Sequence, residues 1–296
     1  VPDTAHTPPA VASTNLASAE SDVAPLPIAV AIVCRDNEET IGRTLASVRS
    51  LTQEIVAVDS GSRDSTIDLL REHGVRVLER EWMGHVKTKQ VALDACSVPW
   101  ALCLDSDESV EPALAQSIRA AFASEIAADV AGFSVNRKVF WRGRFLNHAW
   151  QPEWRLRLVR RAAVRWGGFD PHDAMEVIAG QPAQKIVRLA GDLRHDSIRT
   201  MPDFLANQAK HARIAARSLA AKGKRGSAAA LVLSPVGAWV KQVVFRQAWR
   251  DGWRGWCAAS ATASATLMKH AALLELTRID AMVDKNSENE KKDDAA

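Results

Sequence analysis

Four polar groups stand where apolar runs end, and their residue types suit the handling of a charged ligand. The most pointed is Leu102-Cys103-Leu104-Asp105-Ser106-Asp107-Glu108, an apolar run that leads straight into three carboxylates. Two acids one residue apart at a strand end can face one hard cation together. Carboxylate oxygens suit Mg2+ or Mn2+, with a bound diphosphate completing the shell. Such a cation stabilises charge on a leaving diphosphate. Read alone, the same residues also suit a solvated acidic turn ahead of a helix begun by Pro112. The second group, Val56-Ala57-Val58-Asp59-Ser60-Gly61-Ser62, places the Asp59 carboxylate where it can accept hydrogen bonds from a base or ribose. Its Ser-Gly-Ser turn lets backbone approach a ligand, although Ser62 or Asp64 can equally cap a helix. The third is Cys34-Arg35-Asp36-Asn37-Glu38-Glu39, whose alternative is an acidic helix N-terminus. The fourth, Trp82-Met83-Gly84-His85-Val86-Lys87-Thr88-Lys89, is a glycine turn with two lysines placed to pair with a diphosphate.

The elements that must position these groups alternate regularly. A short β-branched run at 28–33 and apolar runs at 54–58, 75–78 and 100–104 predict strands, and helical spacing at 40–48, 65–71, 87–95 and 112–122 predicts helices between and after them. Strands joined by single helices imply an α/β fold with a parallel sheet and right-handed crossovers. Ligands of such sheets bind beyond the carboxyl ends of the strands. All four groups lie there, so they should cluster. Strands are expected at 132–141 and 154–159, a helix at 203–222, and mostly helix at 235–276 with breaks near Gly252 and Gly255.

The chain has 296 residues, 47% of them apolar, enough for one large domain with appendages. The four cysteines lack CxxC spacing and read as buried free thiols of a reducing compartment. The first 27 residues carry no Lys or Arg and no apolar core, which reads as a disordered leader rather than a secretory signal. No uncharged apolar run of about 18 residues is present, so no helix is expected to span a bilayer. The net charge of +3 conceals an asymmetry: residues 137–278 hold 25 Lys/Arg against 9 Asp/Glu, a net of +16, while the remainder is net −13. The basic half should meet something anionic: phosphates, nucleic acid or an anionic membrane.

Taken in order, Asp36-Asn37-Glu38-Glu39, Val58-Asp59-Ser60-Gly61-Ser62, Trp82-x-Gly84 with Lys89, and Leu104-Asp105-Ser106-Asp107-Glu108 resemble the family 2 glycosyltransferases. The branch containing lipopolysaccharide inner-core β-glucosyltransferases is the most similar. The resemblance runs from about Ile28 to about Leu276. It implies a GT-A fold, a nucleoside-diphosphate-sugar donor, UDP-glucose by the branch, and inversion at the anomeric carbon. By position, Glu38 and Asp59 would contact the nucleoside, Lys89 would lie near the donor, and Asp105 and Asp107 would hold the divalent metal. Asp36-Asn37 stands where the family more often has Asn-Glu, and Arg63-Asp64-Ser65 where Thr-Asp-Gly is usual. An inverting transfer needs a general base. Gly167-Gly168-Phe169-Asp170-Pro171-His172-Asp173 resembles the family segment that supplies it, which gives Asp173 as base, His172 as its orienting or acceptor-binding neighbour, and Asp170 in reserve. His195, in Leu193-Arg194-His195-Asp196-Ser197, would complete the metal or diphosphate site. Arg155 and Arg157, alternating with Trp154, Leu156 and Leu158, suit a strand with one basic face that binds acceptor phosphates or meets solvent. The Gln-x-x-Arg-Trp motif of processive synthases is absent, so single-sugar transfer is expected.

Arg246, Arg250 and Arg254 fall at i, i+4 and i+8, beside Trp249, Trp253 and Trp256. On one helix they would make adjacent arginine and tryptophan stripes, suited to an anionic membrane interface or to packing on the catalytic domain. The expected organisation is a leader (1–27), a GT-A domain (28–200, with nucleotide half 28–125 and acceptor half 126–200), a basic helical region (201–280) and a disordered tail (281–296). The enzyme reading is a cytoplasmic protein on the inner face of the plasma membrane that transfers one sugar to a lipopolysaccharide core or other lipid-linked acceptor. Transfer to a polyprenyl phosphate is the related alternative. A nucleotidyltransferase would show a Gly-rich basic first loop, which is missing. A non-catalytic binder of anionic surfaces or nucleic acid leaves the strand-end carboxylates unused and matches no nucleic-acid motif, so no nucleic-acid partner is expected.

Overall fold

The computed structural model describes residues 24–123, 125–169 and 172–293, without side-chain detail at Phe169, His172 and beyond residue 278. Strands β1 (Ile28–Cys34), β2 (Glu54–Asp59), β3 (Arg76–Glu79) and β4 (Trp100–Asp105) alternate with helices α1 (Ile41–Val48), α2 (Thr66–Glu72) and α3 (His85–Asp94), as the periodicity predicts. β5 (Glu108–Val110) and α4 (Pro112–Ala123) follow, then β6 (Val130–Trp141), β7 (Arg144–Phe145) and β8 (Trp154–Arg160). β9 (Val164–Phe169), β10 (His172–Val177) and β11 (Lys185–His195) complete the β structure. The main sheet runs β3-β2-β1-β4-β8-β6-β11-β5, with β7 paired to β6. β1 to β4 are parallel, β8 is antiparallel to both its neighbours, and β11 is parallel to β6. β9 and β10 form a separate antiparallel ribbon.

Both faces of the sheet are covered, which is why its strands read as near-continuous apolar runs. Ile28, Val30 and Ile32 of β1 pack on one face with Ile41, Leu45 and Val48 of α1, and with Leu114 and Ile118 of α4. Ala29 and Ala31 point to the other face, with Ala92 and Leu93 of α3 and Trp166 of β9. Cys34, Cys96 and Cys103 are buried and Cys257 half-buried, all as free thiols. Burial pushes the Cys96 thiol up to about 11 and the Cys103 thiol up to about 12.

After the sheet come α5 (Met201–Ala221), α6 (Ala228–Val240) with a π-turn at Lys241–Phe245, a 3-10 turn at Ala248–Asp251, and α7 (Trp253–Asp293). Thr200 caps α5 by accepting from the Asp203 amide, and Ser227 caps α6 through Ala230. This region docks on the sheet through a third core in which Ala248 and Ala258 meet Val139, Trp141 and Leu146. Asp251 reinforces it by accepting from the amides of Asn147, His148 and Ala149 at 2.8–2.9 Å.

Three expectations are corrected here. Ala228–Phe245 is an 18-residue helical stretch long and apolar enough, by length and composition, to cross a membrane. A search for wholly uncharged runs passes over it because Lys241 interrupts it. The segment from residue 281, expected to be disordered, continues α7 to Asp293, its Lys and Glu content being favourable to helix. Arg246, Arg250 and Arg254 do not form one helical stripe. Gln247 in the left-handed region (φ 54°) and Gly252 (φ 63°) interrupt the helix between them.

Candidate active site

The strand ends converge on one cleft of about 1660 Å3. Lys89 lies at its centre, on α3, with its ammonium 2.6 Å from Asp105 and 2.8 Å from Asp173. The same ammonium lies over the Trp166 ring, 4.8 Å from its centroid. The end of β4 and the ribbon β9–β10 are therefore tied together through one cation. Burial opposes the Lys89 charge, but Asp105 and Asp173 raise its pKa above the ordinary value.

Asp105 is held on its other side by Arg157, whose Nη2 is 2.9 Å from Asp105 Oδ2 and 2.5 Å from Glu108 Oε1. Arg137 reaches Glu108 at 3.3 Å and Glu153 at 2.6 Å, and Arg155 also meets Glu153 at 2.6 Å. Burial alone would raise the Asp105 carboxyl. Lys89, Arg157 and Arg137 together hold it well below the usual carboxylate range. Glu153 is likewise brought down to about 2, against its burial, by Arg137 and Arg155. The four carboxylates Asp105, Glu108, Glu153 and Asp173 are thus matched by the four cations Lys89, Arg137, Arg155 and Arg157.

Asp107 stands apart from this network. The turn after β4 leads into β5, which pairs antiparallel with the end of β11 so that His195 lies opposite Glu108. This sets His195 Nε2 3.3 Å from Asp107 Oδ2. Burial disfavours the imidazolium, but Asp107 raises the His195 pKa, and His195 in turn lowers Asp107 against burial. The buried His195 Nδ1 has no hydrogen-bond partner among the described residues.

The residues fit a divalent cation, with one reassignment. Adjacent ligands of an octahedral Mg2+ at 2.0–2.1 Å stand about 3 Å apart, close to the observed Asp107–His195 spacing of 3.3 Å. Both oxygens of Asp105 already face cations, so Asp107 and His195 are the available donors. Among the described residues no group of three or more His, Cys, Asp or Glu side chains is arranged to hold a metal by itself, so a cation here needs oxygens from a ligand. A diphosphate would supply them, and it would meet little unmatched positive charge otherwise.

Lys89, Asp105, Asp107, Asp173, His195, Arg155 and Arg157 all line this cleft. Glu38 and Asp59 do not. Asp59 is 1% exposed and accepts from the amides of Gly61 and Ser62 at 2.9 Å. The Glu38 carboxylate accepts from the Ser65 amide at 3.0 Å. Asp59 thus closes its own turn and Glu38 ties the first loop to the loop after β2, and the cleft wall there is made by Arg35 and Asn37 instead. Asp170 and the His172 side chain lie outside the described residues. The sequence reading passed over Arg137, which stands beside Asn136 in β6 without a motif, and Trp166, whose role appears when Lys89 crosses it. At the C-terminal side, Arg254 donates to the carbonyls of Trp141 and Arg142, and Arg246 to that of Gln151. Trp249, Trp253 and Trp256 are about half exposed, with Trp253 edge-on to Trp141 at 5.0 Å.

Comparison with known proteins meets this geometry. The family model described as Glycosyl transferase family 2 matches residues 29–182. The chain is similar to the lipopolysaccharide core biosynthesis glycosyltransferase LpsC of Rhizobium meliloti, at 26% identity over 79% of this chain and 87% of that protein. It is similar to glucosyl-3-phosphoglycerate synthase of Mycobacterium tuberculosis, solved with Mn2+, UDP and glucosyl-3-phosphoglycerate, at 25% identity and TM-score 0.31 over 39% of this chain and 44% of that one. It is similar to S. aureus TarS 1-349 in complex with UDP-GlcNAc, at 14% identity and TM-score 0.44 over 86% of this chain and 92% of that one.

Proposed function

The chain belongs to glycosyl transferase family 2 and is a glycosyltransferase of GT-A fold, and on that premise we propose that it transfers one sugar, with inversion, from a UDP-sugar to a lipid-linked acceptor. A lipopolysaccharide core is the acceptor favoured by the similarity to LpsC, which covers most of both chains. Glucose is the sugar favoured by the motif resemblance. The observation that carries the reading is the bridge of Lys89 between Asp105 and Asp173 in one cleft.

In this account the acceptor hydroxyl attacks the anomeric carbon, the bond from that carbon to the diphosphate oxygen breaks, and the hydroxyl proton passes to Asp173. The diphosphate leaves with the bonding pair. Lys89 turns from Asp173 towards the diphosphate when the donor enters, which frees the base and brings positive charge to the leaving group. Arg157 and Arg137 keep Asp105 ionised, so that it goes on orienting Lys89. Asp107 and His195 would hold a Mg2+ or Mn2+, which when bound supplies charge neutralisation at the diphosphate. Arg155, about two-fifths exposed in the cleft, is the arginine available to an acceptor, since Arg157 is 5% exposed and committed to carboxylates.

The lipid-linked reading places the protein on the inner face of the plasma membrane. Support comes from an outward apolar face on α6 and its π-turn, where Val232, Leu233, Val236 and Phe245 are 62%, 67%, 58% and 78% exposed. Trp249 and the exposed Arg250 extend it, a composition suited to anionic headgroups. A test is turnover of UDP-glucose with a truncated lipooligosaccharide acceptor. Asp173→Asn should lower kcat by about 100-fold or more with UDP affinity retained. A kcat within threefold of wild type would move the base elsewhere.

A further inference from the structure

Helix α1 grips the acidic turn after β4 from outside the cleft. The buried Thr44 hydroxyl donates to the Ser106 carbonyl at 3.0 Å. Ser47 Oγ accepts from the Val110 amide at 3.0 Å and donates to the Thr44 carbonyl at 2.7 Å. Thr44 and Ser47 stand at i and i+3, on one side of the helix, so they hold the chain before and after Asp107. Arg43 of the same helix reaches the other half of the cation pair. Its Nη1 donates to Asp196 Oδ2 at 2.6 Å, across 153 residues of sequence. Asp196 directly follows His195, and its amide donates to the Asp107 carbonyl at 2.9 Å. Arg194 takes the same carboxylate in a fork, Nε to Oδ2 and Nη2 to Oδ1, at 2.9 Å each. The Arg194 guanidinium in turn lies 3.6 Å from the centroid of the Phe140 ring.

We propose that Arg43 is a positioning residue for the divalent cation: through Asp196 it fixes His195 against Asp107. The inference rests on the glycosyltransferase reading and on Asp107 and His195 as its cation donors. Both oxygens of Asp196 are engaged by guanidinium groups, so this carboxylate is a bridge and not a further ligand. Its side chain is 17% exposed, and a forked, partly buried carboxylate keeps its geometry better than a lone surface pair. Arg199 and Glu39 supply the contrast. They tie the same segment to the first loop, but both are largely exposed. Helix α1 also starts from Asn37, whose carbonyl accepts from the Thr40 and Ile41 amides and which lines the cleft. One helix therefore supports the cleft wall at Asn37 and the cation pair. Partners that orient metal ligands in this way typically change metal affinity by about 10–100-fold when removed.

The test is Mn2+ titration of the full chain at a fixed excess of UDP, followed by the electron paramagnetic resonance signal of free Mn2+. UDP affinity in EDTA and thermal melting are measured on the same samples. Arg43→Met should weaken Mn2+ binding at least tenfold, with UDP affinity in EDTA within threefold of wild type and a single melting transition retained. Arg43→Lys keeps a charged donor and should recover at least threefold of the loss. Asp196→Asn removes the charge pair without altering α1 and should also weaken Mn2+ at least tenfold; it decides the matter if Arg43→Met does not fold. Arg199→Met should leave Mn2+ affinity within threefold. Mn2+ affinity within threefold of wild type in either folded variant of the Arg43–Asp196 pair, or an equal loss in Arg199→Met, would overturn the positioning role. Wild-type UDP binding that is indifferent to Mn2+ would instead remove the cation assignment beneath it, and absence of UDP binding would remove the transferase reading.

Discussion

Replacing Arg157 with Met isolates a buried carboxylate. Glu108 is fully buried and Arg157 is 5% exposed, with 2.5 Å between Nη2 and Oε1. Removing one partner of a buried pair costs about 3–5 kcal/mol, because the remaining charge is left uncompensated. Arg137 stays 3.3 Å from Glu108, so the lower end, about 3 kcal/mol, is expected. At about 2–4 °C per kcal/mol for a chain of this size, the Tm should fall by roughly 6–12 °C. Adding Glu108→Gln removes the orphaned charge and preserves an acceptor for the Asp105 amide, which donates to Glu108 at 3.1 Å. The double variant should recover at least half of the loss. Urea unfolding followed by tryptophan fluorescence gives all four corners of the cycle. A single variant within about 1 kcal/mol of wild type, or penalties that simply add, would refute the view that this network is held by charge pairing.

Other perturbations address separate parts of the molecule. Glu153, lowered from 4.5 to about 2, contributes stability that is present above its ordinary pKa and lost as pH falls through about 2. Glu153→Gln should therefore cost about 1–3 kcal/mol at pH 7, and the gap to wild type should close in acid melts between pH 4.5 and 2. A Cβ on Gly255 would lie 1.7 Å from the Ala248 carbonyl oxygen, so Gly255→Ala should lower stability by about 2–3 kcal/mol in chemical denaturation. Leu233→Ser with Phe245→Ser removes two exposed apolar side chains. It should weaken co-sedimentation with phosphatidylglycerol vesicles about tenfold or more while leaving the melting curve unchanged.

The nucleotide half was legible because local signals agree there. Buried strands β1, β2 and β4 read as apolar runs, and each ends in the polar group that the parallel topology gathers at one edge. Asp105, Asp107 and Lys89 were found this way, whereas Asp173 and His195 came from the resemblance of their segments to family motifs. The use of each carboxylate was not legible. Asp59 and Asp105 look alike at strand ends, yet one accepts from its own turn and the other meets three cations. That difference depends on which basic side chain arrives from β6, β8 or α3, and no local spacing encodes it. The arginine stripe failed for a similar reason. Spacing of four implies one face if the helix continues, and Gln247 and Gly252 end it. Lys241 hid the apolar character of α6 and its π-turn, since one charge in 18 residues defeats a count of uncharged residues but leaves the mean hydropathy of the stretch high.

The central claim is that a charge-balanced carboxylate cleft accepts a nucleoside diphosphate together with a divalent cation at Asp107 and His195. Calorimetric titration with UDP, first with Mn2+ and then with EDTA, tests it most directly. UDP binding that weakens at least tenfold in EDTA, and loses that dependence in Asp107→Ala, is the expected result. Failure of UDP to bind under either condition would contradict the account.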